Sequence, residues 1–234
     1  MCQKTPKADS PMTDTTAHDA VLGSLEAAFK NAEQREVPYR HWRLSHLFPE
    51  SVASSISDLP FEPPVIDDTG GRRETHNASR RFFDQDAIAR FPTCRSIAEA
   101  FQSPTLIDTI QQRCGLKLAG TNLRIEYALD TRGFWLEPHT DLGVKKFTML
   151  AYVAQDPEHA QWGTDIYYSK ERHAEQVPAT FNTAMIFVPA DNTWHGFEPR
   201  PINGIRRTLI INYVAPEWRN RHELAFPNDP IPVI

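Results

Sequence analysis

The sequence predicts an α+β fold, mainly β: one β-sandwich or barrel with N-terminal helices packed on one face. Three observations carry this. Helical periodicity is confined to the first half of the chain. After Gly120 the texture changes to short apolar runs separated by turn signals, the pattern of a sandwich or barrel. No internal repeat, long low-complexity tract or composition break divides the chain, so residues 16–234 read as a single domain behind a polar, flexible tail at 1–15. Within that domain, 16–120 is helical or mixed and 121–215 is the β core.

The elements follow in order. Residues 16–35 place Val21, Leu22, Leu25 and Phe29 at helical spacing, with Thr16 or Asp19 as cap. Residues 37–90 carry Pro38, Pro49, Pro60, Pro63, Pro64 and the turn DDTGG at 67–71, which predicts short strands, loops and a short helix. Residues 95–114 read as two helices broken at Ser103–Pro104, with Gly115 as the stop. Strands are expected at 123–129, 147–154, 164–168, 184–188 and 207–214, with the turn DTRG at 130–133. Asn203–Gly204 between Ile202 and Ile205 is a hairpin signal, because both positions tolerate positive φ.

Composition excludes several classes. With 234 residues and 40% apolar content, the chain buries a real core without a metal or disulfide staple. No apolar run approaches a membrane span, and the first fifteen residues lack the apolar stretch of a signal peptide. A net charge of −5 argues against nucleic-acid binding, which rests on phosphate neutralisation. Three scattered cysteines (Cys2, Cys94, Cys114) form no disulfide or zinc framework, which predicts a reducing cytoplasm. The expected partner is a small molecule, with no nucleic acid and no membrane; a homodimer is the base-rate oligomer.

The chemistry gathers at His139-Thr140-Asp141, then His195, then Arg206-Arg207-Thr208. His139 and Asp141 stand two apart, so at a strand end both can point to one side. His195 follows the turn PADNT and can open another strand facing the same cavity. Two imidazoles and one carboxylate on one face of a metal leave three positions open, the facial triad of non-haem Fe(II) oxygenases. His173-Ala174-Glu175 competes, but it lies in the charged stretch SKERHAEQ and reads as a solvated loop or helix turn. His222-Glu223 reads as surface. Phe134, Trp135, Trp162, Asn192 and Trp194 flank the metal candidates as pocket walls or packing.

From about 120 to 215 the chain resembles the Fe(II)/2-oxoglutarate-dependent dioxygenase superfamily. The resemblance lies in IEY at 125–127, FWLEPHTD at 134–141, KKFTMLAYV at 145–153 and GTDIY at 163–167. FNTAMIFVPADNTWHGFEP at 181–199 and GIRRTLIINYV at 204–214 complete it. It implies a double-stranded β-helix, the jelly-roll or cupin-like barrel, with Fe(II) held by His139, Asp141 and His195. It also implies that Arg206 and Thr208 hold the far carboxylate of 2-oxoglutarate, with Tyr127 and Thr148 as further co-substrate ligands. Alternation places Leu123, Ile125 and Tyr127 inward, while Arg207 is the rival to Arg206. Lys145 and Lys146 are matched in some small bacterial members without an assigned role. The implied activity is a hydroxylation using Fe(II), 2-oxoglutarate and O2, with release of succinate and CO2. Family halogenases carry Gly or Ala where Asp141 stands, so halogenation is disfavoured. The competing readings are a cupin-like metalloenzyme that does not use 2-oxoglutarate and a non-catalytic β-sandwich binding protein.

Overall fold

The computed structural model describes residues 14–63, 65, 70–72, 80–141 and 143–233. The tail expected at 1–15 falls almost wholly outside these residues, as does most of the turn expected at 67–71.

Helix α1 (Asp14–Lys30) begins ahead of both expected caps and ends at Lys30 rather than near 35, where strand β1 (Glu33–Arg35) begins. Strand β2 (His41–Ser45), helix α2 (Glu50–Ser57) and strand β3 (Arg81–Phe82) follow. Helix α3 (Gln85–Arg90) is capped by the Asp84 carboxylate, which accepts from the Ala87 N–H at 2.8 Å. Helices α4 (Pro92–Gln102) and α5 (Pro104–Cys114) each open on a proline, whose missing N–H would be unpaired there anyway. Pro104 imposes the expected break, and Gly115 ends α5 in the left-handed conformation at φ 68°.

The β half comprises β4 (Asn122–Asp130), β5 (Leu136–His139), β6 (Lys145–Tyr152), β7 (Thr164–Ser169), β8 (Arg172–Val177), β9 (Thr183–Phe187), β10 (His195–Phe197) and β11 (Arg206–Val214). Among the described residues these build two sheets. One has seven strands in the order β1-β2-β9-β6-β11-β4-β3; the other has four in the order β5-β10-β7-β8. All pairings are antiparallel. Two expectations are corrected. The stretch around His173 is not a loop or helix turn but edge strand β8, paired with β7. Asn203–Gly204 closes no hairpin, because it lies on the crossing from β10 in one sheet to β11 in the other.

The larger sheet is buried on both faces. Leu123, Ile125, Tyr127 and Leu129 of β4 and Leu209, Ile211 and Tyr213 of β11 pack with Leu25 and Phe29 of α1, Ile97 and Phe101 of α4 and Ile110 of α5. Each such side chain contributes roughly 1.5–3 kcal/mol when fully buried. The opposite face meets the smaller sheet, where Leu150, Tyr152, Ile166, Met185, Phe187 and Ile210 fill the space between the sheets. Both faces of β4 are therefore covered, so burial cannot separate its two sides.

Candidate metal centre

Three side chains converge at one end of the space between the sheets. His139 ends β5, His195 opens β10, and the two are direct partners across the strands. Their rings lie 4.3 Å apart between centroids. Asp141 follows two residues after His139, with Oδ1 3.9 Å from His139 Nε2 and Oδ2 3.8 Å from His195 Nε2. In each imidazole Nδ1 lies against a backbone carbonyl, Glu137 O at 2.9 Å and Thr193 O at 3.0 Å. Those carbonyls only accept, so Nδ1 carries the proton and Nε2 presents a lone pair toward Asp141. One donor atom from each residue lies within 4.8 Å of the others.

The electrostatics suit a cation. Burial, with His139 beside it, pushes His195 down to about 3, so it is neutral at ordinary pH and its lone pair is free. Burial pulls Asp141 upward, but the Lys145 ammonium paired with it outweighs burial and holds the carboxyl below the usual carboxylate range. Lys145 Nζ donates to Asp141 Oδ1 at 2.7 Å and Thr148 Oγ1 donates to Oδ2 at 3.0 Å. A charged carboxylate and two imidazoles that turn Nε2 inward form a donor set for a divalent metal.

The triad opens into a cavity of about 500 Å³. Arg206 and Thr208 line it from β11, on the strand face that also carries Ile210. Arg206 donates through Nε to the Trp162 carbonyl and through Nη1 to Asp130 Oδ2, both at 2.6 Å, and stacks over Phe197. Those two bonds leave further N–H groups of the fork for a ligand. Thr208 Oγ1 is buried without a partner, and Tyr152, opposite Thr208 across β6, donates to Thr164 Oγ1 at 2.8 Å. A cation and an orphaned hydroxyl facing one cavity fit a carboxylate.

The structure brings Arg206 and Thr208 to the cavity with His139, Asp141 and His195. Of the two other expected co-substrate residues, one lies elsewhere and one is engaged by Asp141. Tyr127 faces the helices, against Phe61 and Phe83, and burial pushes its hydroxyl up to about 12. Alternation was right in period and wrong in side: the apolar residues of β4 pack on the helices, and Arg124 and Glu126 face the cavity. Arg207 shares the face of Tyr127, away from the cavity lining. Thr148 does line the cavity, but as a partner of Asp141. Of the flanking aromatics, Phe134 lines the cavity and Trp162 packs beside it, while Trp135 lines a small outer crevice.

Sequence reasoning missed Lys145 as the ion-pair partner of Asp141, although their spacing of four would have allowed it. It also missed Tyr152, whose inward side follows from Thr148 by the two-residue period. Glu223, expected at the surface, is buried and pairs with Arg124 at 2.6 Å. A second group, Asp165, His173 and Glu198, also gathers, but the Arg200 guanidinium already pairs with Asp165.

No family model and no curated protein matches the sequence. Solved structures do. A prolyl-4-hydroxylase from Pseudomonas putida aligns over 91% of this chain and 99% of its own at 13% identity and TM-score 0.52. A prolyl 4-hydroxylase from Phytophthora capsici aligns over 85% of this chain and 65% of its own at 10% identity and TM-score 0.58. An oxidoreductase of the 2OG-Fe(II) oxygenase family from Burkholderia pseudomallei aligns over 82% and 89% at 12% identity and TM-score 0.53. At these identities the likeness is one of fold: the chain has the jelly-roll core of these oxygenases beneath a layer of helices.

Proposed function

We propose that this chain is an Fe(II)- and 2-oxoglutarate-dependent dioxygenase that hydroxylates a small molecule, with release of succinate and CO2. The observation that carries the reading is one cavity lined by the His139–Asp141–His195 donor set together with Arg206 and the orphaned Thr208 hydroxyl. A cupin-like enzyme without 2-oxoglutarate would have no need of that cation and hydroxyl.

Iron bound by His139, Asp141 and His195 would supply the O2 chemistry that side chains lack. The rest falls to the chain. The Glu137 and Thr193 carbonyls fix both imidazoles with Nε2 toward the cavity. Lys145 keeps Asp141 ionised in a buried place. Asp130 and the Trp162 carbonyl hold Arg206 so that its remaining N–H groups can pair with the far carboxylate of 2-oxoglutarate. Leu150, Ile210 and Phe197 line the same cavity and give it an apolar wall. A volume of about 500 Å³ suits a co-substrate and a small metabolite. The net charge of −5 favours such a substrate over nucleic acid.

The test is anaerobic reconstitution with Fe(II), then 2-oxoglutarate, followed by visible absorption. A weak charge-transfer band is expected in the wild type and not in His139→Ala. Asp141→Ala is expected to keep its circular dichroism spectrum and lose stoichiometric iron. Iron bound without a band would remove 2-oxoglutarate from the reading, and no iron at all would favour a binding protein.

A further inference from the structure

Behind Asp141 a chain of buried polar groups crosses the sheet. Thr148 Oγ1 donates to Asp141 Oδ2 at 3.0 Å. Asn212 Nδ2 donates to that same Thr148 oxygen at 3.0 Å and to the Phe147 carbonyl at 3.3 Å. Asn212 Oδ1 accepts from Arg124 Nη1 at 3.2 Å. Arg124 also donates through Nε to Glu223 at 2.6 Å and through Nη2 to Glu126 at 3.0 Å, between the rings of Phe82 and Trp218. Thr148, Asn212 and Arg124 are 1%, 0% and 1% exposed, so water does not compete for these bonds.

The chemistry gives this chain a direction. A guanidinium only donates, so the Asn212 group facing Arg124 must be its carbonyl oxygen. The Asn212 amide nitrogen then faces Thr148, where it only donates. A threonine hydroxyl has one hydrogen, and with Asn212 donating to its oxygen that hydrogen must go to Asp141. The hydrogen bond on Asp141 Oδ2 is thus directed from Arg124, three hydrogen bonds away, while Lys145 holds Oδ1. The register explains how: Asn212 pairs with Arg124 on one side of β11 and with Thr148 on the other.

We propose that Thr148 and Asn212 are positioning residues for the candidate metal ligand Asp141, and that Arg124 fixes their polarity. The inference rests on the reading of His139, Asp141 and His195 as metal ligands. Removing outer partners of metal ligands typically weakens metal binding 10–100-fold.

The test is Mn(II) titration of the full-length protein, followed by electron paramagnetic resonance, with thermal melts of each variant. Thr148→Val keeps the shape and loses the donor; it is expected to weaken Mn(II) binding about 10-fold or more. Thr148→Ser keeps the donor and is expected to stay within about 2-fold of wild type. Asn212→Asp keeps Thr148 but removes the amide donor, freeing the hydroxyl to turn toward position 212. It is expected to weaken Mn(II) binding as well, and it carries the test if Thr148→Val does not fold. Folded variants that bind Mn(II) as the wild type does would overturn the relay alone. A wild type that takes up no metal would overturn it together with the proposed function.

Discussion

Arg206 and Arg207 are neighbours in sequence and opposites in environment. Arg206 is buried beside Asp130 and faces the cavity; Arg207 lies near Tyr127 on the helix side. Hydrogen bonds to charged groups contribute roughly 1.5–3 kcal/mol, so Arg206→Ala should weaken 2-oxoglutarate binding about 10–100-fold. Arg207→Ala should stay within about 3-fold, since it removes no bond to the ligand. Calorimetric titration of the metal-loaded protein compares them, and a larger loss at Arg207 would refute the assignment. Arg206→Ala also removes a cation paired with the buried Asp130, so its melting point should fall while that of Arg207→Ala barely moves. The sequence made this pair legible through parity with Thr208. The same parity failed for Tyr127, because it identifies two faces and does not say which one meets a polar cavity.

At the scale of elements, the positions that constrain the fold most are those where backbones touch. Gly163 precedes β7 at an ordinary φ of −77°, so its role is space rather than conformation. A Cβ there would come within 1.7 Å of the Val177 carbonyl oxygen on β8. Backbone held in the β7–β8 ladder cannot give way as a side chain end can, so Gly163→Ala should destabilise the protein by about 2 kcal/mol or more. Urea unfolding checks this, and an unchanged midpoint would mean that β8 is free to move. The helix pair α4–α5 was legible because proline and glycine punctuate it through covalent chemistry. Strand β8 was not, since a charged edge strand has no buried face to impose alternation.

Across the whole molecule, the helical layer seals one face of the larger sheet and takes two cysteines with it. Burial pushes the Cys94 and Cys114 thiols up from about 9 to about 12. In a Cys2→Ser background, the native protein should therefore give no rapid thiol titre at pH 8, and the denatured protein should give two. The unfolded chain releases these protons near pH 9 and the folded one only near 12. Above pH 9 the unfolded state holds fewer protons, so stability should fall as pH rises from 9 toward 12. Denaturation midpoints across that range test the sign; a midpoint that rose with pH would contradict the burial of both thiols.

The sequence by itself determined the class of fold, the helix break at Ser103–Pro104 with its stop at Gly115, and the residues of the candidate metal centre. Each follows from local chemistry: a strand period, a proline without an N–H, an imidazole two residues from a carboxylate. Only the tertiary structure decided which face of β4 lines the cavity. It also decided that Glu223 returns from the C-terminal region to meet Arg124, and that Asn203–Gly204 spans two sheets instead of closing a hairpin. The physical reason is shared. A strand covered on both sides carries no hydrophobic contrast between core and cavity, and a partner ninety-nine residues away leaves no mark on local spacing.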